Sequence, residues 1–176
     1  MPTGRVILQA RKFRVEQFDR PGAARVPPRY VVRHPGATVV LPILDSGEIV
    51  MIRNHRVSID AELLELPAGT LEASEPPIDC ARRELAEETG YSAARLTPLF
   101  RFYSSPGFCD ERLHAFVALD LTPGRQHLDA GEEITVVRLA YSDAMHAIES
   151  GEIADGKTIA TLLYYDRYVT ASGTSQ

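Results

Sequence analysis

The sequence predicts an α/β domain, a mixed sheet covered by helices on both faces. Strand-like and helix-like stretches alternate irregularly, with hairpins among them, instead of following a strict strand–helix–strand series. One nearly continuous apolar run, residues 37–44, has the character of a strand buried on both faces. With 176 residues, 44% of them hydrophobic, the chain is long enough to bury one core and needs no second domain.

Residues 5–9 and 13–18 read as two short strands, with Phe13 and Val15 alternating with Arg14 and Glu16. A Pro- and Gly-bearing segment, 20–28, leads to a strand at 29–33. Residues 1–28 carry too little apolar surface to bury a face alone and should lie on the main domain or on a second subunit. The main domain is expected over 29–170. The run at 37–44 contains Pro42, which removes one ladder N–H and predicts an edge contact or bulge. Asp45, Ser46 and Gly47 are turn residues, and 48–53 is the returning strand. Leu63–Leu66 leads into Pro67, Ala68 and Gly69. Strands follow at 96–103, 112–121 and 134–141, the last preceded by a Pro/Gly loop over 122–131. Ser142 is the expected N-cap of a short helix that Gly151 ends, and Asp155 that of a last helix reaching about Val169. The tail, 171–176, should fray.

The helix between Pro76–Pro77 and Gly90 carries the chemistry. Proline suits a first helical turn, and glycine the left-handed position after a last one. Ile78, Ala81 and Leu85 form its apolar stripe, and Glu84, Glu87 and Glu88 fall at i, i+3 and i+4 on one face. Three such glutamates are either a solvated acidic face or a site for a hard cation, Mg²⁺ or Mn²⁺, held by oxygen ligands. Composition excludes other classes. The formal charge of −5 argues against a nucleic-acid surface. Cys80 and Cys109 are too few for a disulfide framework, and no apolar run approaches a membrane span. No signal-peptide pattern is present at the start, so the expected location is cytoplasmic.

Gly69, Glu75, Arg83, Glu84, Leu85, Glu87, Glu88, Gly90 and the aromatic Tyr91 fit the spacing G-x5-E-x7-R-E-U-x-E-E-x-G-U, where U is a bulky apolar residue. The stretch resembles the Nudix box of the Nudix hydrolases. That resemblance implies the Nudix fold, an α/β/α sandwich with a mixed sheet, and metal-dependent cleavage of a nucleoside diphosphate linked to another group. It makes Glu84 and Glu88 the principal metal ligands, Glu87 the third, and the carbonyl of Ala68 a further one. Arg83 would pair with Glu75 and hold the loop; an ordinary i, i+4 pair with Glu87 is the alternative.

A second stretch, residues 103–111, contains Pro106, Gly107 and Glu111 and resembles the SPG-x-x-x-E segment of ADP-ribose pyrophosphatases. By that analogy Glu111 would hydrogen-bond the terminal ribose; otherwise it is a solvated loop acid. Arg53 and Arg56 are the expected grips on the diphosphate or ribose, because guanidinium matches phosphate oxygens bidentately. The chain has no tryptophan to clamp an adenine, which leaves Tyr30 and Phe18, from the same or a partner subunit. For the base that activates water, relatives carry a glutamate two residues before an apolar strand residue, which selects Glu132 ahead of Ile134. Strand alternation turns Glu132 and Glu133 to opposite sides. The expected activity is hydrolysis of ADP-ribose to AMP and ribose 5-phosphate by a homodimer, with the N-terminal strands exchanged between subunits as one arrangement. The alternatives are a pyrophosphatase for another nucleotide sugar such as GDP-mannose, or a non-catalytic ADP-ribose sensor.

Overall fold

The computed structural model describes residues 4–19 and 27–170. The expected fraying at 171–176 and most of the linker after Phe18 lie outside them. Strands β1 (Arg5–Gln9), β2 (Arg14–Phe18) and β3 (Arg29–Arg33) form an antiparallel sheet in the order β1-β2-β3. β2 pairs with β3 of the same chain from Arg14 opposite Arg33 to Phe18 opposite Arg29, so the N-terminal sheet continues past residue 28. It is tied to the body through Val32, which accepts from Asp110 N (3.1 Å) and donates to Phe108 O (2.8 Å).

The body holds two further sheets. Strands β4 (Ala37–Pro42), β5 (Glu48–Arg56), β6 (Ala61–Glu65) and β7 (Ala68–Thr70) lead to helix α1 (Pro77–Thr89). Strands β8 (Tyr91–Tyr103), β9 (Arg112–Pro123) and β10 (Ile134–Ala140) follow, then helices α2 (Tyr141–Ser150) and α3 (Gly156–Tyr165) and a π-helical turn, Asp166–Thr170. One sheet runs β10-β5-β6; the other, mixed, runs β7-β4-β9-β8 with β4 parallel to β9.

Every residue of β4 is buried, and period-two alternation divides them between two cores. Val39 and Leu41 pack with Ile49, Met51, Leu66, Ala144 of α2 and Leu162 of α3. Val40 faces the other way, onto Ala81 and Leu85 of α1 with Phe116 and Ala118. Helices therefore cover both faces, as the composition of this strand requires. Pro42 ends β4 beyond its pairing with β7, which stops at Val39, so the missing N–H falls on a side with no ladder to break.

Some elements differ from expectation. β5, β8 and β9 are longer than their apolar runs, because half-exposed strand residues continue the ladders. α2 begins at Tyr141 with no side-chain cap, so Ser142 lies inside its first turn. Asp155 does cap α3, accepting from Thr158 N at 3.0 Å. In α1 the buried arc runs through Cys80, Ala81, Leu85 and Glu88, and Ile78 is exposed. That rotation turns Glu84 and Glu88 toward the sheet. Among the described residues no helix is long and apolar enough to cross a membrane.

Candidate active site

The site is built where β7 passes the first half of α1. Gly69 is required sterically: a Cβ there would lie 1.8 Å from Glu84 Cδ, so the carboxylate occupies the space a side chain would take. Gly90 closes α1 at φ 76°, and a Cβ would strike the backbone at Arg125–Gln126. Arg83 takes both partners the sequence offered. Its Nε and Nη2 bind Glu75 (2.9 and 3.0 Å), and its Nη1 binds Glu84 (2.7 Å) and Glu87 (3.0 Å). Nη2 also reaches Thr70 O at 3.3 Å, so one guanidinium ties helix, loop and β7 together. Hydrogen bonding to Arg83 holds Glu75 down at about 2. Cys80, its thiol pushed up to about 12 by burial, lies beneath the same loop and donates to Gly69 O and Thr70 O (3.7 and 3.6 Å).

The three glutamates are not equivalent. Glu87 is the most accessible of the three and rests on Arg83. Glu88 is only 5% exposed, and its Oε2 accepts from Ala68 N at 2.9 Å. Burial pushes Glu88 up to about 8 against that hydrogen bond, and the charges of Glu84 and Glu132 add to the rise. Burial raises Glu84 as well, opposed by Arg83 and reinforced by Glu87 and Glu132. Glu132 itself is exposed; it accepts from Asp129 N at 3.1 Å, on the loop between β9 and β10. The charge of Glu132 raises both box carboxylates.

These features fit a hard divalent cation. The donors are carboxylate oxygens, with the backbone of Ala68 alongside, and one of them, Glu88, is buried without an ion pair among the described residues. Among the described residues no three such side chains already converge on a point. Glu84 and Glu87 are turned to Arg83, and Glu88 to Ala68.

Beside Gly69 opens a cavity of about 580 Å³. Arg56 and Glu111 line it, as expected, together with Lys157, Phe102 and Tyr103, which sequence reasoning missed. Arg56 is fixed by the fully buried Glu65, Nε to Oε1 at 2.6 Å and Nη2 to Oε2 at 2.5 Å. Lys157 also binds Glu65 Oε2 and pairs with Asp155 at 3.0 Å. Asp155 caps the helix that carries Lys157, and Leu66 N donates to Thr158 Oγ1 (2.9 Å), so the end of β6 and the start of α3 form one unit. Nothing local links residues 92 apart; the only signals are the buried acid before Pro67 and the capping aspartate. Glu111 Oε1 lies 3.5 Å from His34 Nδ1.

Other expected site residues lie elsewhere. Arg53 does not line this cavity: it pairs with Glu152 (3.0 Å) and Glu62 (3.6 Å), because positions 53 and 56 fall on opposite faces of β5. Pro106 and Gly107 form an exposed turn, with Phe108 and Cys109 donating to Ser105 O, and do not line it either. Tyr30 is exposed on β3, and Phe18 lies under Arg33, 5.3 Å from ring centroid to guanidinium carbon. Both belong to the N-terminal sheet, and the aromatic wall of the cavity is Phe102 and Tyr103 instead. A further residue not anticipated is Gln126. Its Nε2 donates to Glu88 O (2.6 Å) and Ile134 O (3.2 Å), while His127 N donates to Glu87 O (2.9 Å), pinning the Glu132 loop to the end of α1.

Comparison with known proteins agrees with this geometry. The model of the NUDIX domain matches residues 32–162. The chain is 40% identical over 152 residues to an ADP-ribose pyrophosphatase of Bacillus subtilis, covering 85% of this chain and 82% of that one. It is 38% identical over 138 residues to a GDP-mannose pyrophosphatase of Escherichia coli, covering 73% and 72%. Among solved structures, one described as an ADP compounds hydrolase superposes with a TM-score of 0.80 over 97% of this chain and 94% of its own, at 24% identity.

Proposed function

This chain belongs to the NUDIX domain family, and from that premise we propose that it hydrolyses ADP-ribose to AMP and ribose 5-phosphate with the help of Mg²⁺, Mn²⁺ being the other candidate. The observation that carries this is the intact acidic edge of α1, with Glu88 buried and held by a single backbone N–H, beside a cavity provided with Arg56 and Lys157. An identity of 40% to an ADP-ribose pyrophosphatase supports the choice of substrate.

Glu84, Glu87, Glu88 and the Ala68 carbonyl would hold the cation, with Glu132 joining them or acting as base. A bound divalent cation supplies charge neutralisation at the diphosphate and lowers the pKa of a bound water. The chain's own groups do the rest. Arg56, locked by Glu65, keeps its other N–H groups for phosphate oxygens. Glu111 offers acceptors to ribose hydroxyls. As the base, Glu132 would take the proton of the attacking water on a carboxylate oxygen. Water adds to one phosphorus, the P–O–P bridge breaks, and one phosphate leaves with each half. Arg83 holds Glu75 against the box loop and acts by position.

We further assign a homodimer through the N-terminal sheet. β1 is exposed along its length, with Val6, Ile7 and Leu8 among the large apolar residues facing out, and Phe13 and Tyr30 add to this surface. Monomers rarely leave such a surface uncovered. These side chains need cover whether the sheet rests on its own body or is exchanged onto a second copy's. No nucleic acid or membrane partner is called for.

A GDP-mannose pyrophosphatase at 38% identity keeps a second nucleotide sugar in view. A purified-protein assay with Mg²⁺ across ADP-ribose, GDP-mannose and other nucleotide sugars, reading AMP or GMP release, decides between them. Preferential AMP release from ADP-ribose is expected. Preferential GMP release selects the other sugar, and no release from any substrate leaves a sensor.

A further inference from the structure

The turn between β1 and β2 carries two cations that the fold does not use. Ala10 N donates to Phe13 O (2.9 Å), which closes the turn and presents Arg11 and Lys12 at its tip. Both are exposed, and neither makes an ion pair among the described residues. They line a cavity of about 490 Å³ between the N-terminal sheet and the body, opposite Arg14, Arg33, Glu16 and Asp110.

The acids of this cavity are already taken. Glu16 accepts from Arg14 Nε and Arg33 Nε, each at 2.8 Å. Asp110 accepts from Arg33 Nη1 (3.0 Å) and from His34 N (2.9 Å). What remains uncompensated is Arg11 and Lys12, a local positive excess on a chain of formal charge −5. The same two side chains also line a neighbouring cavity of about 550 Å³ whose far wall carries Arg83, Glu84 and Asp129. The turn thus borders both the box side and the positive hollow.

We propose that the hollow beneath the β1–β2 turn binds a phosphomonoester, with Arg11 and Lys12 as its ligating cations. The ligand chemistry rests on the pyrophosphatase activity assigned above, because AMP and ribose 5-phosphate are both phosphomonoesters. Such a group carries close to two negative charges at neutral pH, which matches the two unpaired cations. Arg11 offers a planar fork to phosphate oxygens and Lys12 a point charge. The cavity volume lies in the range of ligand pockets.

The test is calorimetric titration of the full chain in EDTA with AMP, ribose 5-phosphate and inorganic phosphate, and with adenosine and ribose as uncharged counterparts. The wild type is expected to bind at least one phosphomonoester with an affinity that falls as salt rises. Adenosine and ribose are expected not to bind. The double variant Arg11→Ala/Lys12→Ala should bind it at least roughly tenfold more weakly, the loss of charge-assisted contacts. Circular dichroism checks that the fold is kept, as expected for exposed residues. Loss confined to AMP assigns the hollow to the nucleotide half, loss confined to ribose 5-phosphate to the sugar half, and equal loss for all three to phosphate itself. Unchanged affinity in the double variant, affinity independent of salt, or binding of none of the three overturns the site. Failure of the pyrophosphatase assignment is a different result, absence of AMP release from ADP-ribose, and leaves this titration readable.

Discussion

Glu65 and Glu88 are both buried glutamates within reach of the same cavity, yet their surroundings are opposite. Glu65, at the end of β6, is 0% exposed and is gripped by Arg56 and Lys157. Glu88, in the last turns of α1, is 5% exposed and has a single backbone N–H, with Glu84 and Glu132 nearby. Burying a carboxylate is costly unless a cation or hydrogen bonds compensate it. Glu65 is compensated within the fold and acts as a strut that aims two cations. Glu88 has one backbone N–H and only the more distant charge of Arg56, and the cation proposed above would complete its surroundings. Burial alone therefore does not distinguish the two acids; the cations each one touches do.

The largest effects are expected where charge is removed from the uncompensated side. Glu132→Gln should lower kcat by about 10²–10⁴ with the fold kept, whereas Glu133→Gln should leave it nearly unchanged. Steady-state kinetics on the pair checks the register, and the reverse order would shift it by one residue. Glu88→Gln should lower kcat by about 10²–10³, and excess EDTA should stop the wild type. Full activity in either case would remove the cation from the account.

On the compensated side the expected loss is in stability. Glu65→Gln leaves Arg56 and Lys157 short of a counter-charge and should destabilise the protein by about 3–5 kcal/mol, measured by urea unfolding. Folded Glu65→Gln should show a raised KM for ADP-ribose with kcat changed far less than in Glu88→Gln. Equal losses in both variants would erase the distinction between strut and ligand.

A smaller effect separates paired from unpaired acids by pH. Glu75 is held at about 2 by Arg83, below its unfolded value of 4.5. Its contribution is present above pH 4.5 and is lost as the pH falls toward 2. Glu88 is raised from 4.5 to about 8, so the metal-free protein binds an extra proton on folding, and stability falls as pH rises from 4.5 through 8. That fall should be on the order of a few kcal/mol at most. Thermal melts in EDTA across this range should lose the acid limb in Glu75→Gln and the alkaline limb in Glu88→Gln. An alkaline limb that persists in Glu88→Gln would place the proton on another group.

What could be read from the chain follows the range of the interactions. The need for Gly69, the left-handed Gly90, the Asp155 cap and the partners of Arg83 are local and depend on spacing along one helix or loop. The grip of Lys157 on Glu65 joins distant segments and left no periodic trace. Arg53 shows a missed inference of another sort. Residues 53 and 56 lie three apart on a strand, so alternation forbids them one cavity, and the rule that divided Glu132 from Glu133 would have divided them too. The acidic face of α1 was legible as a cluster. Its inequality was not, because it depends on a rotation of the helix that buries Glu88 and leaves Ile78 outside.

The pinning of the β9–β10 loop has a consequence best put as concentration. Gln126 and His127 fix the loop to the last carbonyls of α1, six and five residues before Glu132 in the chain. A flexible tether that short holds its end group at an effective concentration on the order of millimolar or above. Glu132 is therefore kept close to the box carboxylates, independent of how much protein the solution contains. Lengthening the tether between His127 and Glu132 with glycines lowers that local concentration without touching a box carboxylate.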